Sequence, residues 1–138
     1  MAKKIILLLL ATIILAGCQS KPVTGETVTV PGGLYKNISS HELNTMLKNK
    51  DFVFINVHMP FEGNIAGTDL SIPYDQIGTP ENLSQLPDDK NVKIVLYCRS
   101  GRMSEITAEE LVSLGYTNIW NLKDGMVDWE QAGYEIEK

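Results

Sequence analysis

The chain opens on one long apolar run, Ile5 to Ala16, and its later apolar runs are short and separated by polar turns. Phe52–Val57 and Val92–Tyr97 are nearly continuous in apolar residues. Such runs suit strands buried on both faces of a parallel sheet. Leu34–Ile38, Leu70–Ile72 and Thr117–Asn121 predict further short strands. Between the strands the period lengthens. Leu43, Met46 and Leu47 lie at i, i+3 and i+4, and Ser39-x-x-Glu42 has the form of a capping box. Together they predict a helix from Ser39 or Ser40 to about Asn49. A second helix is predicted over Met103–Leu114 and ends at Gly115. Its inward face would be Ser104, Thr107, Ala108, Leu111 and Leu114. Pro80–Leu86 and Gly125–Ala132 predict short helices, and Met59–Thr68 a loop with room for one helical turn. Strands alternating with helices predict an α/β fold around a mainly parallel sheet.

The first run is a different object. Lys3 and Lys4 precede it, and no acidic residue falls in Met1–Gly17. A charged start and a short apolar stretch have the layout of an export signal. The run is shorter than the ~20 residues that a membrane-spanning helix needs. Leu15-Ala16-Gly17-Cys18 then resembles a bacterial lipobox. In such precursors the thiol of the cysteine is diacylglycerated and the chain is cut before it, which implies a lipid on Cys18. Residues 1–17 are thus expected to be removed as a signal peptide. Residues 18–33, rich in Thr, Gly and Pro, are expected to form a flexible tether, and residues 34–138 one domain. Val28–Val30 is the one stretch of the tether with the makings of an edge strand. The mature protein would sit on the extracytoplasmic face of a bacterial membrane without spanning it.

The chain has 138 residues and a formal net charge of −5, which becomes −7 once the two lysines of residues 1–17 are gone. This length suits one domain. The acidic balance speaks against non-specific nucleic-acid binding, which works by neutralising phosphates. Hydrophobic residues at 43% and charged residues at 21% are ordinary for a globular chain and speak against disorder. Two cysteines make neither a disulfide-dense scaffold nor a four-cysteine zinc site. The two histidines, His41 and His58, lack zinc-ligand spacing, and no metal site is expected. His41 reads as a solvated residue of a first helical turn. Trp120 and Trp129 read as core.

The chemistry is expected in Val95-Leu96-Tyr97-Cys98-Arg99-Ser100-Gly101-Arg102-Met103-Ser104. A buried strand ends, a cysteine follows, and a short loop leads into a helix. In open α/β sheets ligands collect at the carboxyl ends of the strands. Loop N–H groups and a helix N-terminus form an anion cradle, and Gly101 permits the tight turn. Arg99 and Arg102 add positive charge. These features favour thiolate over thiol. With Cys18 lipidated, Cys98 has no disulfide partner, which again points to a reactive thiol. The competing reading is a buried cysteine acting as a small hydrophobe.

At this loop the sequence resembles the rhodanese family of single-domain sulfurtransferases, over roughly Tyr35 to Tyr134. Three segments carry the resemblance. Phe54 to Gly67 is similar to the family's "DVR-x-x-x-E … GHI-x-GA", Cys98–Ser104 to its catalytic loop, and Gly115-Tyr116 through Tyr134 to its closing "GY … L-x-GG-x-x-x-W-x-x-AGY". The resemblance implies a five-stranded parallel sheet with helices on both faces and a persulfide formed on Cys98. Arg99, Ser100, Gly101, Arg102, Met103 and Ser104 would form the anion-binding loop, with Asn56 and His58 as candidate pocket residues. The chain departs from the family at Asn56 (usually Asp), His58 (usually Arg), Asn64 (usually His) and Met103 (usually Arg).

The expected reaction moves a sulfane sulfur from thiosulfate or a similar small anionic donor, through Cys98, to cyanide or a thiol. It needs no metal or organic cofactor and no more than a monomer. The alternative is a catalytically weak rhodanese-like binding or sensing module held at the membrane. A phosphatase of related fold would need Arg at the sixth position after the cysteine, where this chain has Ser104. A thiol–disulfide oxidoreductase would carry Cys-x-x-Cys, which is absent.

Overall fold

The computed structural model describes Gly17 and residues 21–138. Cys18 and the expected signal segment, Gly17 apart, lie outside the described residues. In chain order the elements are β1 (Glu26–Val30), β2 (Gly33–Ile38), α1 (Ser40–Leu47), β3 (Val53–Asn56), β4 (Asn64–Ile65), β5 (Leu70–Ser71), a 3-10 turn (Tyr74–Gln76), α2 (Pro80–Leu83), β6 (Ile94–Tyr97), α3 (Arg102–Ser113), β7 (Ile119–Leu122), α4 (Gly125–Gln131) and β8 (Ile136–Glu137). The main sheet has the order β1-β2-β7-β6-β3-β5. The five strands from β2 to β5 in that order run parallel, and β1 pairs antiparallel with β2 at the edge.

Residues alternate between two apolar layers, one on each side of the sheet. Ile55, Ile94, Leu96 and Ile119 pack with Ala108 and Leu111 of α3. Phe54, Val95, Tyr97, Trp120 and Leu122 pack with Leu43 of α1 and with Met126 and Trp129 of α4. Strands buried on both faces have no polar face to show, hence the nearly continuous apolar runs. Trp120 and Trp129 are core residues, and His41 is exposed. At α1 the capping box forms as its residues predict: Ser39 Oγ accepts from the Glu42 N–H at 3.2 Å, and the Ser39 N–H donates to Glu42 Oε2 at 2.9 Å.

Four local expectations are corrected. The flexible tether over residues 18–33 does not hold over its described part, where Val23 already packs against the core. Glu26–Val30 forms a hairpin with Gly33–Ile38, turning at Gly32 with φ +92. Val28 and Val30 point to one side of this strand and pack against the core, which a two-residue period allows. Leu114 is not inward. It is 37% exposed, and Val112, 3% exposed, faces the core instead. α3 ends at Ser113, so Leu114 has left the helical register. The stretch 59–68 contains no helical turn but β4, which pairs antiparallel with β8 in a small second sheet. The short Thr117–Asn121 strand is shifted to Ile119–Leu122.

Among the described residues no helix is long and apolar enough to cross a membrane. Also among them, no group of three or more His, Cys, Asp or Glu could hold a metal ion.

Candidate active site

β6 is a central strand, flanked by β3 and β7. The residue after it, Cys98, therefore emerges in the middle of the sheet's carboxyl end. The chain then turns through Arg99, Ser100 and Gly101 into α3. Gly101 caps that helix with φ +97, a left-handed conformation that side chains rarely adopt. A Cβ there would also collide with the Lys123 carbonyl oxygen. The turn brings the Gly101 N–H to 3.0 Å from Cys98 Sγ, which accepts it. Ser104 Oγ lies 3.6 Å from the same sulfur and 3.0 Å from the Gly101 carbonyl. That carbonyl already accepts the Glu105 N–H, so the serine hydroxyl can turn to the sulfur without stranding it. The sulfur thus sits at the amino end of a twelve-residue helix, where free N–H groups and the helix dipole favour negative charge.

A second helix grips the same loop from outside. The Met126 N–H donates to the Cys98 carbonyl at 2.9 Å and the Val127 N–H to the Arg99 carbonyl at 3.0 Å. These N–H groups belong to the first turn of α4 and have no partner within their own helix. Gly125 lets α4 come this close, with φ +62 and no side chain between it and the loop.

Cys98 itself is only 1% exposed and packs in the apolar layer beside Leu96 and Val57. Of the two readings drawn from sequence, a reactive thiol and a buried one, the structure combines parts of both: the Gly101 N–H faces the sulfur, and the sulfur is buried. Ser100 and Arg102 are exposed, Met103 is half-buried against the core, and Ser104 is fully buried.

The Arg99 guanidinium is engaged by a carboxylate from outside the loop. Glu62 Oε2 accepts from Arg99 at 3.0 Å and meets His58 Nε2 at 2.9 Å. Desolvation pushes the Glu62 carboxyl up, but the hydrogen bonds and charges of His58 and Arg99 outweigh it and hold it below the usual carboxylate range. His58 is thus tied to the Cys98 loop through Glu62. Its other ring nitrogen, Nδ1, is buried without a partner.

Asn56 is 1% exposed and fully used. Its amide donates to the Gly63 carbonyl and to Asn64 Oδ1, and its oxygen accepts the His58 N–H. Asn64 Oδ1 also accepts from Tyr97 Oη, which in turn accepts the Ile65 N–H. Asn56, Asn64 and Tyr97 therefore hold the 58–65 loop beside Cys98; none of the three has a hydrogen bond to the sulfur. Beside Arg99 lies a cleft of about 510 Å³, lined among others by Phe61, Glu62, Met126, Ile136 and Lys138.

Glu62 and Gly125 were not singled out by sequence reasoning. Both stand inside the segments that carried the family resemblance, which was the signal available for them.

Comparison with known proteins agrees with this fold. A profile of the rhodanese-like domain matches residues 39–132, and one of the prokaryotic membrane lipoprotein lipid attachment site matches residues 3–19. A sulfurtransferase of Allochromatium vinosum is 31% identical over 107 residues, covering 75% of this chain and 95% of that protein. A tRNA uridine(34) hydroxylase of Hamiltonella defensa is 27% identical, but the match covers 67% of this chain and only 27% of that protein. Among solved structures, a rhodanese-like domain protein from Staphylococcus aureus has a TM-score of 0.60 at 31% identity, covering 75% of this chain and 99% of that one. A rhodanese-related protein from Thermoplasma volcanium has a TM-score of 0.61 at 28% identity, covering 74% and 97%.

Proposed function

The chain belongs to the rhodanese-like domain family, and on that footing we propose that it is a sulfurtransferase working through a persulfide on Cys98. The observation that carries this reading is the Gly101 N–H directed at Cys98 Sγ at the amino end of α3. A thiolate there attacks the outer sulfur of a small anionic donor such as thiosulfate. The S–S bond of the donor breaks, sulfite leaves with the electron pair, and Cys98 keeps the sulfur as an anionic persulfide. Cyanide or a thiolate then attacks that outer sulfur, the new S–S bond breaks, and Cys98 is returned as thiolate. In both steps negative charge stays on sulfur, where the Gly101 N–H and Ser104 hydroxyl offset it. Because Cys98 is covered, the donor enters as the rim formed by the exposed Ser100 and Arg102 yields. Arg102 is placed to attract the donor, and Arg99 to do so when it leaves Glu62.

The lipid attachment site supports a lipid-anchored membrane protein; the extracytoplasmic face is our reading of the same signal. The chain covers about a quarter of the tRNA-modifying relatives' length, and their hydroxylation is not carried over. We further take the protein to act as a monomer, without nucleic acid.

The deciding experiment is to incubate the protein with thiosulfate and weigh the peptide that holds Cys98. A gain of one sulfur, removed by cyanide and absent in Cys98→Ser, is expected. The buried sulfur favours one second reading, a binding or sensing module. A wild-type protein that takes up sulfur on no cysteine would establish that one instead.

A further inference from the structure

The path of the chain before β1 decides how an anchored protein can sit on its membrane. Lys21, Pro22 and Val23 do not hang free of the domain. Val23 packs against the apolar layer that contains Trp120 and Leu43, with Met46 and Leu47 beside it. Lys21 to Val23 share a groove with Met46, Asn49, Asp51, Lys93 and Trp120. Asn49 and Asp51 precede β3, and Lys93 precedes β6. The chain is therefore fastened at the amino ends of the parallel strands. Cys98 stands at the opposite, carboxyl end of β6. Five residue steps separate Lys93 from Cys98, about 16 Å of strand.

From Cys18 to Lys21 there are three residue steps, a reach of at most about 11 Å. A lipid on Cys18 thus holds the Lys21 end close to the bilayer. Charge then selects which flank of that end turns down. Around α1's carboxyl end stand Lys21, Lys48, Lys50 and Lys93, against Asp51, which pairs with Lys93, and Asp69, which pairs with Lys50. This flank is net positive on a chain that is net negative. The other flank carries Asp88 and Asp89 with Lys90, near Tyr116 and the end of α3. Anionic headgroups attract the lysine flank, at about 1 kcal/mol per basic residue near the surface, and repel the acidic one.

We propose that the α1 flank of the sheet's amino end, with Lys21, Lys48, Lys50 and Lys93, lies on anionic phospholipid headgroups and that the Cys98 loop faces away from the membrane. The inference rests on lipidation of Cys18. It assigns water-borne donors and acceptors to the enzyme and withholds Cys98 from any acceptor dissolved in the bilayer.

The test uses the full lipidated chain in vesicles of phosphatidylethanolamine and phosphatidylglycerol. In a Cys98→Ser background, a nitroxide is placed at Asn49→Cys or at Phe61→Cys. Phe61 lines the cleft beside Arg99. Lipids bearing chelated nickel at the headgroup relax any nitroxide close to the surface. The Asn49 probe should be relaxed strongly and the Phe61 probe little. K48E/K50E/K93E, with the lipid retained, should lose most of the Asn49 effect while the wild-type thiol version keeps its sulfur uptake. Equal relaxation at both sites, stronger relaxation at Phe61, or indifference to the charge reversal would each overturn the orientation. The mass of the peptide containing Cys18 reports lipidation separately. An unmodified peptide would overturn the anchor, and this inference with it, by a route distinct from a wrong orientation.

Discussion

Gly125 lies so close to Cys98 that a Cβ on it would stand 2.5 Å from the Cys98 carbonyl oxygen. The sulfur loop and the start of α4 therefore form one packed unit. The two N–H bonds from Met126 and Val127 exist because nothing stands between them and the loop.

Gly125→Ala should push α4 off the loop. Left-handed backbone at a non-glycine residue costs on the order of 1–3 kcal/mol, and the contact adds to it. The denaturant midpoint should fall accordingly. Sulfur uptake at Cys98, measured by mass at a denaturant-free pH 7, should slow in the folded fraction. An Ala variant with wild-type midpoint and uptake would show that the contact relaxes freely.

Ser104→Ala removes the hydroxyl 3.6 Å from Cys98 Sγ and leaves the Gly101 N–H in place. A single hydrogen bond contributes about 0.5–1.5 kcal/mol, so persulfide formation should slow by roughly 2- to 13-fold. Single-turnover kinetics with thiosulfate measure it. Loss of all activity would mean that Ser104 holds the loop rather than the charge.

Burial of Cys98 predicts its response to reagents. A bulky aromatic disulfide should titrate the thiol slowly in the native protein and at once in denaturant, whereas thiosulfate should charge it readily. Equally fast native reaction with both would show that the loop opens far more than its 1% exposure indicates.

Glu62 links acid stability to the loop. Its folded carboxyl lies below the ordinary value of 4.5, so the stability it contributes is fully present above that pH. It is lost as pH falls through the lowered folded value. The melting temperature of Glu62→Gln should accordingly be below wild type at pH 6, and the difference should close on acidification below about pH 4.5. A difference that widened instead would show the opposite linkage.

Asn37 and Asn121 face each other between β2 and β7, with the Asn121 amide donating to Asn37 Oδ1 at 2.9 Å. Both are buried, and Asn121 Oδ1 has no partner. Asn37→Leu alone strands a donor and should cost about 1–3 kcal/mol, while Asn37→Leu with Asn121→Leu should cost less than the single change. Chemical unfolding of Asn37→Leu, Asn121→Leu and the double variant measures this coupling, and simple additivity would refute it.

Much of the architecture was readable from local pattern. Phe52–Val57 and Val92–Tyr97 are nearly continuous in apolar residues because both faces of the sheet are covered, and the capping residues of α1 act within four positions of one another. The strand–Cys98–loop–helix order likewise placed the sulfur at the carboxyl end of a strand, since a helix begun four residues later must turn its free N–H groups back toward it. Other features depended on residues far apart in the chain. The partners of Glu26–Val30 and Asn64–Ile65 are Gly33–Ile38 and Ile136–Glu137, and a short edge strand carries too few apolar residues to announce itself. Leu114 obeys the helical period but lies one residue past the helix end. The grip of α4 on Cys98, the link from His58 through Glu62 to Arg99, and the cover over the sulfur arise from close packing of segments 25 to 40 residues apart or from the closure of the loop itself. Sequence spacing records which side chains a segment offers; how near a glycine lets a helix approach, and whether a thiol ends open or covered, is set only when those segments meet.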